Sequence, residues 1–313
     1  MLLFVLSQKN LPLAQAEVAS FYSVQKKKEH YAFVSSAKIV DIPLAFTKEI
    51  HTVLFSCPKK DLEKHIKKYS WNKKIKRSFC VRSDIQEIER KLGGMIWDTL
   101  KKPVVDLEHP NALIHFFFIG NIVYAGLRLW KNDNAFLQRK AQLRPGFYPA
   151  SLDPQLALGL VNLSSAKKHA VIVDPFCGTG GILIEAAFSL RKAVGFDISP
   201  WMLDKCKQNL QHYKITKKVV SVAPGDATTF RKKCAAIVTE LPFGKNTRSQ
   251  DLLSLYTRFL ENARKNTNTI VVGFPDFVDY KKICKKIGWK IQHDFRWYLH
   301  QTLSKHVVVL KKD

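Results

Sequence analysis

The sequence predicts an α/β protein in which a small α+β region precedes a doubly wound, mostly parallel sheet closed by an antiparallel hairpin. The main observation is the alternation of apolar strand-like runs with helix-like segments after residue 170. A second is the glycine turn at 174–181, which joins one such strand to one such helix. A third is the irregular order of short strands and helices before residue 130.

The N-terminal half is predicted to contain six strands and three helices. Pro12 is typical of a helix start, and Gly120-Asn121 of a turn between two strands. The helix that begins after Asp84 is expected to end at Gly93-Gly94, because glycine weakens a helix interior. The predicted strands are 2–6, 32–39, 51–55, 79–82, 111–118 and 121–129, and the predicted helices are 12–22, 59–69 and 84–91.

The C-terminal half is predicted to alternate strands and helices after a helix that starts at Pro154, a residue suited to a first helical turn. The predicted strands are 170–174, 193–197, 219–222, 235–239, 269–274, 290–298 and 305–310. The predicted helices are 154–163, 181–190, 200–211, 252–266 and 279–287. We therefore predict an N-terminal α+β region at 1–136, a polar linker at 137–150 and the α/β domain at 151–313.

The chain is strongly basic, with 51 Lys and Arg against 26 Asp and Glu in 313 residues and a formal net charge of +25. Such an excess favours a polyanionic partner, and nucleic acid is preferred to an anionic membrane surface. No apolar run approaches the length of a membrane span, so no membrane partner is expected. The six cysteines show neither a CxxC pair nor a metal-ligand spacing. We therefore expect reduced thiols, a cytoplasmic location and no metal site.

Acidic residues follow three successive predicted strands: Asp174, Asp197 and Asp226. Ligands of a doubly wound sheet bind beyond the carboxyl ends of its strands, so these acids are expected to meet at one site. A carboxylate at Asp197 would bind a ribose diol, and one at Asp226 an adenine amino group. A purely structural turn is the alternative for the glycine stretch. The candidate cofactor-binding residues here are Asp174, Phe176, Cys177, Gly178, Thr179, Gly180, Gly181, Asp197, Ile198, Asp226 and Ala227.

Two nucleoside cofactors compete for a site of this kind. A nicotinamide dinucleotide requires the pattern G-x-G-x-x-G, but Leu183 stands at the third glycine position. The carboxylate of Asp174 would also repel a pyrophosphate, and no Gly-Lys-Ser/Thr follows to make a Walker loop. S-adenosylmethionine (SAM) carries ribose, adenine, a sulfonium and an ammonium, all of which suit these acids. The residues therefore favour SAM.

A fourth candidate site, Glu240-Leu241-Pro242-Phe243-Gly244, follows the apolar strand 235–239. Such a group suits the methylation of an exocyclic amine, whose lone pair is delocalised into the ring. A carboxylate and a backbone carbonyl that accept its N–H bonds would turn the lone pair toward the methyl group, and the aromatic ring would stack on a flipped base. The catalytic candidates are Glu240, Leu241, Pro242 and Phe243. A turn without function is the alternative.

The stretches 173–187 and 240–244 together resemble the class I SAM-dependent amino-methyltransferase pattern, which implies a Rossmann-like methyltransferase domain. The segments 139–152 and 160–163 resemble those of one subgroup, the archaeal and eukaryotic tRNA guanosine-10 N2-methyltransferases, which carry an N-terminal THUMP domain. Segment 300–305 is also similar to this family, and the likeness covers nearly the whole chain.

The resemblance implies an enzyme that methylates the 2-amino group of guanosine 10 in tRNA, with SAM as the methyl donor. It further implies a THUMP-type region that binds tRNA, and a cofactor pocket that also includes Tyr148 and Ser151. Since some relatives use a small zinc-binding activator subunit, that partner is a further expectation. The candidates for RNA contact in the connecting segment are Arg139, Lys140 and Arg144.

Two alternatives stay open at this point. One is a guanine-N2 methyltransferase that acts on another tRNA position or on rRNA. The other is a THUMP RNA-binding protein whose methyltransferase domain has lost activity. Its only support is Glu240, which is one methylene longer than the Asp or Asn usual in the family. The intact acids and glycines of the cofactor site argue against it.

Overall fold

A computed structural model describes the chain from 1 to 313 except residues 37, 244–248, 301–302 and 313. The chain divides into two compact units. The first comprises Met1–Leu11, Tyr22–Val40 and Thr47–Asp133, and the second comprises Pro12–Phe21, Asp41–Phe46 and Asn134–Asp313. The second unit thus includes the predicted linker and most of helix α1 (Leu11–Ala19). The assignment of residues 1–136 to RNA binding stays a prediction.

The first unit is built on one mixed sheet of seven strands. They are β1 (Leu2–Leu6), β2 (Val24–Lys28), β3 (Tyr31–Val34), β4 (Thr47–Pro58), β5 (Phe79–Ser83), β6 (Ala112–Ile119) and β7 (Ile122–Lys131). Their spatial order is β2-β3-β1-β4-β7-β6-β5, with β5 and β6 parallel and the other neighbours antiparallel. Helices α2 (Leu62–Lys68) and α3 (Glu89–Trp97) share a core with this sheet.

Helix α3 runs through Gly93-Gly94, so the predicted helix end at these glycines is wrong. Leu92 and Ile96 lie on either side of them and are buried in the core of the first unit. This packing outweighs the helix penalty of about 1 kcal/mol for each glycine. The helix also starts later than predicted, at Glu89. The Asp84 carboxylate instead accepts hydrogen bonds from Phe118 N at 2.9 Å and the Tyr31 hydroxyl at 3.2 Å.

The second unit is built on the predicted doubly wound sheet. Its strands are β8 (Val171–Asp174), β9 (Lys192–Asp197), β10 (Val220–Pro224), β11 (Ala236–Glu240), β12 (Thr269–Pro275), β13 (Trp289–His300) and β14 (Leu303–Lys312). The spatial order is β10-β9-β8-β11-β12-β14-β13. Strands β8 to β12 pair parallel with one another, and β14 pairs antiparallel with both β12 and β13. The predicted parallel sheet with a closing hairpin is therefore confirmed.

Five further helices complete the second unit: α4 (Pro154–Leu163), α5 (Gly181–Phe188), α6 (Pro200–His212), α7 (Ser249–Arg264) and α8 (Tyr280–Ile287). Three of them begin where a side-chain oxygen accepts a hydrogen bond from a backbone amide of the first turn: Asp153, Ser199 and Asp279. The core between the sheet and α7 is formed by fully buried side chains such as Ile237, Val272 and Phe259.

The strand order reverses between β8 and β11, since the chain builds β9 and β10 on one side of β8 and the later strands on the other. A crevice opens at such a reversal, beyond the carboxyl ends of the strands. The loop after β8 and the end of β11 meet there. Among the described residues, no helix is long and apolar enough to cross a membrane, and no group of three His, Cys, Asp or Glu side chains is placed to bind a metal ion.

Candidate active site

Asp174 closes β8 and is only 2% exposed. Its Oδ1 accepts hydrogen bonds from Thr239 Oγ1 at 2.6 Å and Phe176 N at 3.2 Å. Burial is the main cause that raises the pKa of Asp174 from 3.8 to about 7, and the nearby carboxylates of Asp197 and Glu240 act in the same direction. Three acidic groups therefore converge at this end of the sheet, and together they favour a cationic ligand.

Two glycines of the loop after β8 have left-handed backbone conformations, with φ of +51° at Gly178 and +85° at Gly180. A Cβ at Gly180 would lie 2.6 Å from the Cys206 sulfur, so this glycine lets the loop pack on α6. A Cβ at Gly178 would meet nothing within 4 Å. The loop thus has a packed side and an open side, and the open side has room for a ligand.

Asp197 ties the loop after β8 to the end of β9. Its Oδ2 accepts a hydrogen bond from Gly178 N at 2.8 Å, and its Oδ1 accepts one from Ser199 N at 2.9 Å. The next residue, Ile198, is 78% exposed, which leaves an apolar side chain beside the carboxylate. This arrangement is typical of a nucleoside site, because the acid can bind the ribose and the apolar side chain can pack on a purine ring.

Asp226 lies just beyond β10, the neighbour of β9. Its Oδ1 accepts a hydrogen bond from Thr228 N at 2.7 Å, and the residue is exposed, whereas Ala227 is buried in the core. The structure therefore places Asp174 and Asp197 at the carboxyl ends of adjacent strands and Asp226 just beyond the end of the next one.

The remaining residues of the loop after β8 contribute mainly to its packing. The Phe176 ring contacts that of Phe259 with 5.3 Å between centroids. A hydrogen bond with Cys206, together with burial, raises the pKa of the Cys177 thiol, so this thiol stays protonated. Gly181 is the first residue of α5.

The segment before α4 contacts the same loop through Ser151 Oγ, which lies 3.0 Å from Thr179 Oγ1. Tyr148 is half-buried and packs edge-on against Trp201 of α6. Asn209 of α6, which the sequence reasoning missed, donates to the carbonyls of Thr179 at 2.9 Å and Gly146 at 3.2 Å. A buried Asn on a helix gives no signal in the sequence that separates it from an ordinary polar residue.

Glu240 ends β11, and its Oε2 lies 2.7 Å from Lys305 Nζ of β14. The Oε1 atom is buried and has no hydrogen-bond donor among the described residues. A Cβ at Gly273 of β12 would lie 2.0 Å from this Oε1. Lys305 and Gly273 were not predicted as site residues. In the carboxylate predicted to be catalytic, Oε2 is thus held by Lys305, whereas Oε1 has no donor among the described residues.

The residues after Glu240 hold the turn that follows β11. Leu241 is buried in the core, and the Pro242 carbonyl accepts a hydrogen bond from the Tyr256 hydroxyl of α7 at 2.5 Å. Phe243 is half-buried. Gly244 of the predicted motif and Gln301 and Thr302 of the family-like segment 300–305 lie outside the described residues.

Arg139 and Arg144 do not fit the predicted contact with RNA. Arg139 is buried and donates from Nε and Nη2 to the Glu185 carboxylate at 2.8 and 2.7 Å. Arg144 is buried too, and two of its nitrogens donate to the Arg139 carbonyl at 2.8 and 2.5 Å. Both guanidinium groups therefore stabilise the second unit from inside. Lys140 is exposed and stays a candidate for RNA contact.

Two family models match the chain. UPF0020, described as an RMKL-like methyltransferase domain, matches residues 141–305, a range that runs from before α4 to Lys305. N6_N4_Mtase, described as a DNA methylase, matches residues 6–208.

Two curated relatives are similar along nearly their whole length. The tRNA (guanine(10)-N2)-dimethyltransferase of Methanothermobacter thermautotrophicus is 33% identical, with 99% of this chain and 99% of that protein covered. The protein of the same name from Pyrococcus abyssi is 30% identical, with 96% of each covered. The crystal structure of TrmN from Thermus thermophilus shares the fold, with a TM-score of 0.56 at 20% identity over 100% of this chain and 99% of that one. It follows that the chain belongs to the UPF0020 methyltransferase family, in its branch of SAM-dependent tRNA guanine-N2 methyltransferases.

Proposed function

We propose that the chain transfers a methyl group from SAM to the exocyclic 2-amino group of guanosine 10 in tRNA. The observation that carries this proposal is the position of the Glu240 carboxylate. It lies close enough to Asp174 of the cofactor loop to raise the pKa of Asp174. Its Oε1 has no protein donor among the described residues, so an amine N–H can fill that position. The curated relatives support the choice of guanosine 10, because their names specify it and their likeness spans both units.

The residues of the site have separate tasks in this reaction. SAM supplies a methyl group activated by a sulfonium. Asp174 would face the cationic methionine part of SAM, and Asp197 the ribose. Glu240 would accept an N–H bond of the guanine amine and so turn its lone pair toward the methyl group, while Phe243 would stack on the flipped base. The protein thus contributes mainly position and charge.

The direct test is methyl transfer from labelled SAM to transcribed tRNA, with the modified nucleotide located by mass spectrometry. We expect label at guanosine 10 and none in a transcript with adenosine at that position. Label at another guanosine would support the sibling activity on a different tRNA position, and transfer only to rRNA would support an rRNA enzyme. SAM binding without transfer to any RNA would support the inactive RNA-binding alternative.

The first unit offers a basic surface for the tRNA. Helix α2 and the segments beside it carry exposed cations along one continuous stretch of chain: Lys59, Lys60, Lys64, Lys67, Lys68, Lys73, Lys74, Lys76 and Arg77. Leu62 and Ile66 hold the opposite face of the helix in the core, which directs its charged residues to solvent. Phosphate contacts of this kind supply affinity without sequence specificity.

The second unit offers another basic surface in a cavity of about 540 Å³. Its lining includes Arg231, Lys232, Lys233 and Lys265, which are exposed, and no acidic residue. The Lys233 ammonium donates to the Lys265 carbonyl, which holds two of these residues together. We include this cavity among the candidate phosphate contacts.

Changing Lys64, Lys67 and Lys68 together to alanine is expected to weaken tRNA binding at every salt concentration. Each lost phosphate contact should also make the salt dependence shallower by about one unit of log Kd per log salt. The measurement is the Kd for tRNA between 50 and 200 mM salt. Lys207→Ala is the control, because Lys207 is exposed but lies 3.4 Å from its acidic partner Asp204. An unchanged slope in the triple variant would contradict a role for α2.

SAM affinity is expected to rise with pH through about 7. The pKa of Asp174 is about 7 without ligand, and a cationic ligand prefers the ionised carboxylate. Below this pKa the Kd should rise by up to about tenfold per pH unit, and binding should release a proton. Calorimetry in two buffers of different ionisation enthalpy measures that release. Asp174→Asn should lose it, and an equal release in this variant would assign the proton to another group.

Two further expectations belong to this proposal. A small zinc-binding activator subunit stays a predicted partner, and full activity of the purified chain alone would contradict a need for it. A cytoplasmic location also stays a prediction. It is in keeping with the six cysteines, all of which are free thiols and five of which are buried.

A further inference from the structure

Glu240, Gly273 and Lys305 stand on three consecutive strands of the sheet, β11, β12 and β14. Glu240 and Gly273 are direct partners in the parallel register of β11 and β12. Lys305 is the partner of Pro275, two residues beyond Gly273, in the antiparallel register of β12 and β14. The middle strand therefore separates the acid from the lysine.

The Glu240 side chain crosses this middle strand to reach Lys305. The crossing is open because Gly273 has no side chain, and a Cβ there would lie 2.0 Å from Glu240 Oε1. Lys305 is only 2% exposed, and its Nζ lies 2.7 Å from Glu240 Oε2. A buried ammonium without an acidic partner is strongly destabilising, so Lys305 needs this carboxylate and at the same time holds it in place.

The two oxygens of the Glu240 carboxylate differ in their hydrogen-bond partners. Oε2 receives the charged hydrogen bond from Lys305, and such bonds are shorter and stronger than neutral ones. Oε1 is buried and has no donor among the described residues. A buried acceptor without a donor is costly, unless a ligand supplies the missing hydrogen bond. The carboxylate therefore presents one oriented acceptor for a donor that arrives with the substrate.

We propose that Lys305 is the positioning residue of the methyl-transfer site, and that Gly273 allows it to act. Lys305 fixes the orientation of the Glu240 carboxylate so that Oε1 accepts an N–H bond of the guanine 2-amino group. This inference deepens the proposed function and depends on it. The same geometry explains how a glutamate can replace the shorter Asp or Asn of the class I amino-methyltransferase pattern, because the extra methylene allows the side chain to cross β12.

The test compares Lys305→Met with Lys305→Arg and with Lys311→Met as a matched control. Lys311 lies on the same strand and is half-buried, but its Nζ donates to Thr269 Oγ1 at 2.9 Å and not to Glu240. We expect Lys305→Met to reduce kcat by roughly 10- to 100-fold, the loss that is typical when a residue that orients a functional side chain is removed. The KM for tRNA and the Kd for SAM should stay close to those of the wild type. Lys305→Arg should recover part of kcat, and Lys311→Met should keep it.

A double variant separates positioning from a merely structural role. If Lys305 acts only through Glu240, then Lys305→Met in the Glu240→Ala background should cause no further loss of kcat. Additive losses in the double variant would overturn the proposal, as would an unchanged kcat in Lys305→Met. If Lys305→Met fails to fold, Lys305→Gln keeps an uncharged hydrogen-bond donor, one bond nearer to the backbone, and the same comparisons apply to it.

Gly273→Ala is an independent test from the other side of the carboxylate. The added methyl group should displace Glu240 and reduce kcat, while SAM binding persists. Equal kcat in Gly273→Ala and wild type would overturn the crossing geometry. The wild-type reaction distinguishes this inference from the proposed function. Transfer to tRNA guanosine with no effect of Lys305→Met defeats the inference alone, whereas transfer to a different acceptor defeats the proposed function.

Discussion

Glu240→Ala is expected to reduce kcat for tRNA methylation by about 100- to 1,000-fold, the usual loss when one preorganised group that stabilises a transition state is removed. The structure holds this carboxylate in place at the end of β11 through its contact with Lys305 at 2.7 Å. The Kd for SAM should change little, because the loop after β8 and Asp197 are linked by their own hydrogen bonds. Single-turnover kinetics together with SAM titration measures both quantities.

The matched control for this variant is Glu261→Ala, which removes an exposed carboxylate from α7 and should keep full activity. Glu240→Asp adds a graded test. The shorter side chain keeps the charge but should lose contact with Lys305, so we expect an intermediate kcat. Full kcat in Glu240→Ala would remove Glu240 from the reaction.

Glu17→Ala is expected to cause the largest loss of stability, about 3–5 kcal/mol in the free energy of unfolding of the second unit. Glu17 is fully buried on α1. Its carboxylate accepts hydrogen bonds from Ala45 N at 2.6 Å, Phe46 N at 2.8 Å and Asn162 Nδ2 at 2.7 Å. Asn162 in turn accepts one from Arg191 Nη1 at 3.2 Å. Alanine would leave buried donors without an acceptor and a buried arginine without its nearby acid.

Urea unfolding followed by loss of SAM binding measures the effect of Glu17→Ala on the second unit. Glu63→Ala is the control, since its carboxylate pairs with Lys91 at the surface and should contribute no measurable stability. Burial is the main cause that raises the pKa of Glu17 to about 7. A raised acid pKa means that the contribution to stability is greatest below about 4.5 and falls as the pH rises through about 7. Glu17→Ala should therefore weaken this pH dependence, and a variant as stable as the control would contradict the role of Glu17.

The fold of the second unit could be predicted well because its parallel strands, β8 to β12, are short and mostly apolar. Turn and helix-start residues also separate its elements clearly along the chain. The glycine turn after β8 and the helix start at Pro154 are examples, and both stand where the pattern indicates. The first unit was harder. Strand β2 contains Lys26, Lys27 and Lys28, and a charged strand at the edge of a sheet has no apolar alternation to reveal it.

Only part of the site could be predicted from the sequence, and the reason lies in how the fold brings residues together. Acids and glycines at strand ends can be recognised along the chain, because the fold fixes where strand ends meet. Lys305 and Gly273 could not be recognised, since their roles depend on which strands become neighbours. The burial of Arg139 and Arg144 is a similar case, because an arginine that pairs with a buried glutamate looks the same in a sequence as one that faces RNA.

The contribution of α1 to the second unit has a consequence for synthesis on the ribosome. Glu17 is translated 145 residues before Asn162, its hydrogen-bond partner. At about 5–20 residues per second, roughly 7–29 s pass before the two can meet. The first unit has all of its chain by Asp133 and can fold during that interval. Residues 12–21 and 41–46 belong to the second unit, so their apolar side chains stay exposed until the rest of that unit is synthesised. The nascent chain is therefore most prone to aggregation during this interval.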